Sequence, residues 1–177
     1  VGQLESELEF SELTDPPGIR FWPENRGRDG CRTPMVWDRS LLYGGFSNKK
    51  PWLPIKDMQL NQDIASQDKD SSSVLSFYKK MLKFRVQERA LKLGSTSFYD
   101  TPEPLLAFSR KFEKNNILCL FNMSSETLLV NLKNVKSIGN SPTQSSNFDT
   151  SKLVLEDYGF TFFQSNGEEM LEVKKIT

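Results

Sequence analysis

The sequence predicts an α+β chain in which a long irregular opening leads through one helix into a small antiparallel β-sandwich. Three observations carry this. Six of the nine Pro (Pro16, Pro17, Pro23, Pro34, Pro51 and Pro54) fall before residue 55. A helical apolar period starts near Ser71, and from Ser95 the period turns extended, with turn-forming residues between short apolar runs.

In the opening, only Leu4 to Leu13 suits a helical turn, with Phe10 and Leu13 as its buried side. The segment Asp15 to Asp38 (DPPGIRFWPENRGRDGCRTPMVWD) fits neither period and carries Trp22, Trp37, Phe21 and the four arginines Arg20, Arg26, Arg28 and Arg32. Ordered loops of this length are uncommon in compact domains and are usually functional. Ser71, Ser72 and Ser73 offer hydroxyls to the free N–H groups of a helix start, ahead of VLSFYKKMLKFRVQERALKLG. Val74, Tyr78, Met81 or Leu82, and Arg85 recur at helical spacing, broadened by Phe77, Phe84 and Leu91, which predicts one helix of about twenty residues. Gly94 is placed to end it in the left-handed conformation, and Lys83, Arg89 and Lys92 suit its C-terminal dipole. The basic face of Lys79, Lys80, Lys83 and Arg85 reads first as solvated surface, with a phosphate or partner site as the alternative.

Strands are predicted at Leu105 to Phe112, Ile117 to Asn122, Leu128 to Leu132, Leu153 to Leu155 with Phe160 to Phe163, and Met170 to Val173. Turns are expected at Asn115-Asn116, Gly139-Asn140 and Asn166-Gly167, and the polar stretch Lys136 to Ser151 reads as an exposed loop. Several strands at such spacing imply a sandwich.

Composition narrows the chemistry. The 177 residues hold 23 basic and 23 acidic side chains, so no net field favours nucleic acid or an anionic membrane, and neither is expected as a partner. There is no His, which excludes Ser-His-Asp and Cys-His arrangements within these residues and removes the commonest metal ligand. Cys31 and Cys119 lack any zinc or disulfide spacing, so reduced thiols, no metal, no cofactor and a cytoplasmic setting are expected. No apolar run nears the roughly 18 residues that cross a bilayer, and no charged-then-apolar leader opens the chain, which starts at Val1 without an initiating Met.

Catalysis without His would rest on carboxylates, and Glu5, Glu7, Glu9, Glu12, Asp15, Glu24 and Asp29 supply many. Paired carboxylates can cleave glycosides, yet a solvated acidic surface is the plainer reading of these. The arginines are more pointed. A guanidinium presents a planar fork to carboxylates or vicinal hydroxyls, and aromatic faces stack on sugar rings. The alternative is that these arginines only tie the loop to its own Asp and carbonyl groups.

The blocks Gly27-Arg28-Asp29-Gly30-Cys31-Arg32-Thr33-Pro34-Met35-Val36-Trp37-Asp38, Gly44-Gly45-Phe46-Ser47, Pro51-Trp52-Leu53-Pro54 and Phe77-Tyr78-Lys79-Lys80-Met81-Leu82 with Arg85 and Ala90-Leu91 closely resemble, in order and spacing, the last third of α-glucosidases of glycoside hydrolase family thirteen. Asp15-Pro16 and Gly18-Ile19-Arg20-Phe21-Trp22-Pro23 resemble its proteobacterial oligo-1,6-glucosidase and maltase-like members. The resemblance covers Val1 to Gly94 by motif and Ser95 to Thr177 by position and β pattern. It implies that residues 1–94 are the last loop and final helix of a (β/α)8 barrel and that 95–177 form an all-β C-terminal sandwich.

By the same resemblance, the family's catalytic Asp, Glu and second Asp lie on earlier strands, so no catalytic residue is expected here and the chain alone should be inactive. Arg28 matches the family Arg that pairs with an Asp near the first strand and contacts hydroxyls of the terminal glucose. Arg32 is the second candidate for that role, with holding the loop as its main task; Asn25 is expected at the pocket mouth and Glu5 toward the aglycone. The implied activity is retaining, exo-acting hydrolysis of α-glucosides or oligosaccharides. The alternatives are a glucosyl-transferring or sucrose-isomerising relative, a non-catalytic relative such as the heavy subunits of amino-acid transporters, and a carbohydrate-binding or structural β module.

Overall fold

The computed structural model describes residues 7–149 and 151–175, leaving aside the side chains of 144–145, 168–171 and 173–175. The chain divides into two compact units, one up to Lys79 and one from Lys80.

The first unit is irregular, as its Pro content dictates. Its helices are short: α1 (Pro16–Arg20), α2 (Asp57–Leu60) and α3 (Ile64–Lys69), with 3-10 turns at Phe10–Glu12, Asp29–Cys31 and Leu42–Gly45. Leu8, Leu13 and Leu53 form a small core against Trp22. Leu13 is buried as expected, but Phe10 is half exposed and lies against the Trp22 ring at 5.9 Å. Long-range polar ties replace a sheet: Ile64 and Ala65 donate backbone N–H groups to the carbonyls of Val36 and Trp37, and Lys56 Nζ reaches Glu12 Oε2 at 2.7 Å.

The division between units falls within α4 (Val74–Gln87). Ser73 caps this helix, its Oγ accepting from Ser76 N at 3.1 Å. The expected single helix breaks at Glu88, whose φ −92° and ψ 101° are extended, and resumes as α5 (Arg89–Leu93). Only part of the anticipated stripe is covered: Phe84 is buried, whereas Val74, Tyr78 and Leu82 are exposed. Gly94 is not left-handed, at φ −71° and ψ 152°. Glycine is needed there for space, since a Cβ would stand 2.4 Å from the Ala90 carbonyl oxygen and 2.9 Å from that of Lys111. Among the described residues no helix is long and apolar enough to cross a membrane.

The second unit is built on β1 (Ser95–Phe98), β2 (Leu105–Phe112), β3 (Asn115–Asn122), β4 (Leu128–Ser137), β5 (Gln144–Asp149) and β6 (Lys152–Lys175). β1, β2 and β3 pair antiparallel in sequence order, and β3 then pairs with Phe160–Ser165 of β6. β4 meets β6 in three runs: Leu128–Asn131 with Leu155–Lys152, Leu128–Lys133 with Lys175–Met170, and Val135–Ser137 with Ser165–Phe163. In each run partners ascend in one strand as they descend in the other, so neighbouring segments are locally antiparallel.

These registers describe two layers joined by strands that switch between them. One holds β1, β2, β3, the middle of β6 and the end of β4; the other holds β5, both ends of β6 and the start of β4. The switches fall at positive φ, at Asn134 (60°) in β4 and at Tyr158 (49°) and Gly167 (90°) in β6. Leu105, Ala107, Leu118, Leu120, Leu128, Val130, Leu132, Leu153, Leu155 and Phe163 fill the space between. On the opposite face of the first layer, Phe162 meets Phe84 of α4 at 5.3 Å.

Three local expectations fail. The β2–β3 turn is at Glu113-Lys114, because Asn115 and Asn116 are paired into β3 opposite Phe112 and Lys111. The stretch read as an exposed loop contains β5 and the end of β4, which polar composition concealed. The two predicted strands after Leu153 are one bent strand, because Gly167 bends β6 without ending it.

Candidate substrate-contacting site

The loop between Asp15 and Arg32 closes on itself through two buried carboxylates. Asp15 precedes Pro16, which sits at the first position of α1, and Asp29 opens the 3-10 turn Asp29–Cys31. Asp29 is fully buried, and its Oδ2 accepts from Thr14 N at 2.6 Å, Asp15 N at 2.7 Å and Thr14 Oγ1 at 3.1 Å. Its Oδ1 is buried without a hydrogen-bond partner among the described residues.

Asp15 in turn receives Arg28. Oδ2 accepts from Arg28 N at 2.9 Å and Nε at 3.2 Å, and Oδ1 accepts from Nη2 at 2.9 Å. Arg32 Nη1 lies 3.8 Å from the same Oδ1. The side-chain hydrogen bond from Arg28 is the main cause holding the Asp15 carboxyl below the usual carboxylate range, and it raises the Arg28 guanidinium in turn. The contrast in exposure matters: the Asp15 side chain is 2% exposed and that of Arg28 66%. One edge of the fork is fixed inside and the rest faces outward.

The backbone permits this only with glycine. Gly27 has φ +69°, and a Cβ on it would lie 2.7 Å from Asp15 Oδ2 and 2.9 Å from Gly18 Cα. Asn25 braces the approach, its Oδ1 accepting from Gly27 N at 2.8 Å in an Asx turn. Its role in the described residues is thus a loop brace, and Glu5 lies outside them. The reading of Asp15 and Asp29 as solvated surface acids is wrong: both are buried because the loop needs acceptors for its inward N–H groups. Buried, with Asp15 engaged on both oxygens and Asp29 through Oδ2, they act as anchors of the loop. Arg20 and Arg26 stack on Phe21 and Trp22 at 5.4 and 5.5 Å and tie the loop down.

Sequence reasoning singled out Arg28 but not Asp15 and Asp29, the carboxylates that anchor this loop. The signals were the Pro that follows Asp15, which leaves Asp15 at a helix start, and the glycines flanking Arg28-Asp29, which mark tight backbone. A shallow hollow lined by Leu41, Leu42, Gly45, Phe46, Ser47 and Asn48 holds none of the expected site residues. Among the described residues no three His, Cys, Asp or Glu cluster as metal ligands do.

A family model for the alpha-amylase catalytic domain matches residues 1–94, the stretch that contains this loop. The chain belongs to the alpha-amylase family. Among its curated relatives, a probable alpha-glucosidase of Rhizobium meliloti is 48% identical over 122 residues, covering 69% of this chain and 22% of that protein. The oligo-1,6-glucosidase IMA3 of Saccharomyces cerevisiae is 30% identical over 143 residues, covering 74% and 24% respectively. This family member therefore spans under a quarter of the length of those relatives. Among solved structures, the alpha-glucosyl transfer enzyme XgtA is 34% identical with a TM-score of 0.72, covering 91% of this chain and 30% of that one. The trehalulose synthase MutB of Pseudomonas mesoacidophila MX-45, at 20% identity, shares the fold with a TM-score of 0.69, over 96% of this chain and 33% of that one. The fold is that of the closing, β-rich part of these alpha-amylase family (β/α)8-barrel proteins.

Proposed function

We propose that this chain is the C-terminal part of a retaining, exo-acting α-glucosidase that removes terminal α-linked glucose from oligosaccharides in the cytoplasm. In this reading residues 1–94 are the last loop and final helix of the barrel, and 95–177 its C-terminal β domain. The observation that carries it is the Arg28 fork, fixed on Asp15 along one edge and open along the other, within an intact family motif. Free guanidinium N–H groups at fixed angles suit adjacent sugar hydroxyls. In this reading Asn25 is assigned to the pocket mouth and Glu5 to the aglycone side.

Retaining hydrolysis needs a carboxylate nucleophile and a carboxyl acid/base about 5 Å apart. Asp15 and Asp29 do not supply them: Asp15 accepts from Arg28 on both oxygens, and Asp29 is fully buried with Oδ2 accepting from the N–H groups of Thr14 and Asp15. These 177 residues should therefore release no glucose from p-nitrophenyl α-glucoside or maltose, whereas the same chain extended upstream through its reading frame should release it. An extended protein that folds and releases none would sink the reading. A glucosyl-transferring relative is the second reading, favoured by the likeness to XgtA. Products from sucrose separate the two, since a hydrolase yields free glucose and fructose and a transferase or isomerase yields new disaccharides.

A further inference from the structure

Arg28 is aimed by a relay that starts at the residue after it. Asp29 grips the backbone N–H groups of Thr14 and Asp15, which fixes the peptide carrying Asp15. Asp15 then accepts from Arg28 at Nε and Nη2 and at its backbone N, so one carboxylate holds both the base and the tip of the same side chain. Two contacts set the plane of the guanidinium as well as its position, which a single point contact cannot do. Gly27 and Gly18 allow the approach at the distances a Cβ would forbid.

We propose that Asp15 is the positioning residue of this site: it holds the Arg28 guanidinium in one orientation before substrate arrives, so that Nη1 and the outer edge of Nη2 meet the sugar already aligned. An exposed arginine otherwise loses rotamer freedom on binding, and prior ordering removes that cost. The proposal rests on the reading of Arg28 as a hydroxyl-binding group.

The test uses the full-length protein and the variants Asp15→Asn, Arg28→Ala and the double substitution, assayed on p-nitrophenyl α-glucoside. Asn keeps the shape but turns one oxygen into an NH2 donor facing the arginine's own donors. Asp15→Asn should lower kcat/KM by about 10-fold or more, and the double variant should be no worse than Arg28→Ala, because the two residues act as one unit. Losses that multiply in the double variant would show that Asp15 acts through folding alone and would overturn the proposal.

Arg28→Lys approaches the contact from its exposed side, with a point charge in place of the fork. It should keep Tm within about 2 °C and still lose roughly 10-fold in kcat/KM. Wild-type kcat/KM in Arg28→Lys would also overturn the proposal. A third readout needs no turnover: hydrogen exchange at Arg28 Nε should be slow in the wild type and fast in Asp15→Asn. Absent activity with a slow Nε signal would remove the glucosidase reading and leave the positioning intact, whereas fast exchange in the wild type would remove the positioning.

Discussion

At the scale of single residues, burial decides chemistry more than residue type does. The two cysteines make the point. Both are free, but Cys31 is exposed in the arginine loop, while Cys119 is buried in β3 opposite Phe108. Burial pushes the Cys119 thiol up to about 12, so it is neither accessible nor ionised at neutral pH. A colorimetric disulfide reagent at pH 8 should titrate one thiol per native chain and two after unfolding. Two fast thiols in the native protein would contradict the placement of Cys119. The same contrast separates the carboxylates of the opening: Asp15 and Asp29 are interior acceptors, whereas Glu9 is exposed, and the local turn there is served by Glu12, whose Oε2 accepts from the Glu9 backbone N–H at 2.8 Å.

At the scale of elements, the helix and the strand that follow one another at Gly94 depend on close approach. Placing a methyl at Gly94 would drive it into the carbonyls of Ala90 and Lys111 although the φ is ordinary. Gly94→Ala should therefore destabilise by about 1–3 kcal/mol, in the range that overpacking costs. Phe84→Ala should destabilise by about 3–5 kcal/mol, because it empties the buried position against Phe162 that joins α4 to the outer face of the first layer. Urea unfolding followed by far-UV circular dichroism measures both, and an unchanged midpoint for either would contradict the packing described. The exposed row Val74, Tyr78 and Leu82 shows what the helical period can and cannot announce: which residues share a side, not whether a neighbour covers it.

At the scale of the molecule, the two units differ in what holds them. Glu12, Asp15, Asp38, Asp63 and Asp70 all lie in the first unit, and each is held below the usual carboxylate range by a hydrogen bond, from Lys56, Arg28, Ser40, Ser66 and Ser72 respectively. A carboxyl whose folded value lies below its unfolded value adds stability above about pH 4, and that contribution fades as pH falls through the folded value. All three tryptophans, Trp22, Trp37 and Trp52, belong to this unit and report it selectively. Their emission should shift to the red as pH drops below about 4, and constant emission down to pH about 2 would contradict the carboxylate ties.

Sequence legibility followed the same division. β2 in the second unit and the serine cap of α4 in the first could be read because apolar alternation and a hydroxyl at a helix start are local signals. β5 and the continuity of β6 could not, since they are decided by partners far along the chain. In the arginine loop the motif disclosed Arg28, but Asp15 became visible only once folding had brought it thirteen residues back to its partner.

The bent strand β6 has one more consequence, for the order of events during synthesis. β3 and the end of β4 wait for Phe160–Ser165, and the start of β4 waits for both ends of β6, so the second layer lacks its full set of neighbours until residue 175 has left the ribosome. Until then the nascent chain carries bare strand edges rich in Leu and Phe, which favours rapid completion of translation or a chaperone held near the exit tunnel.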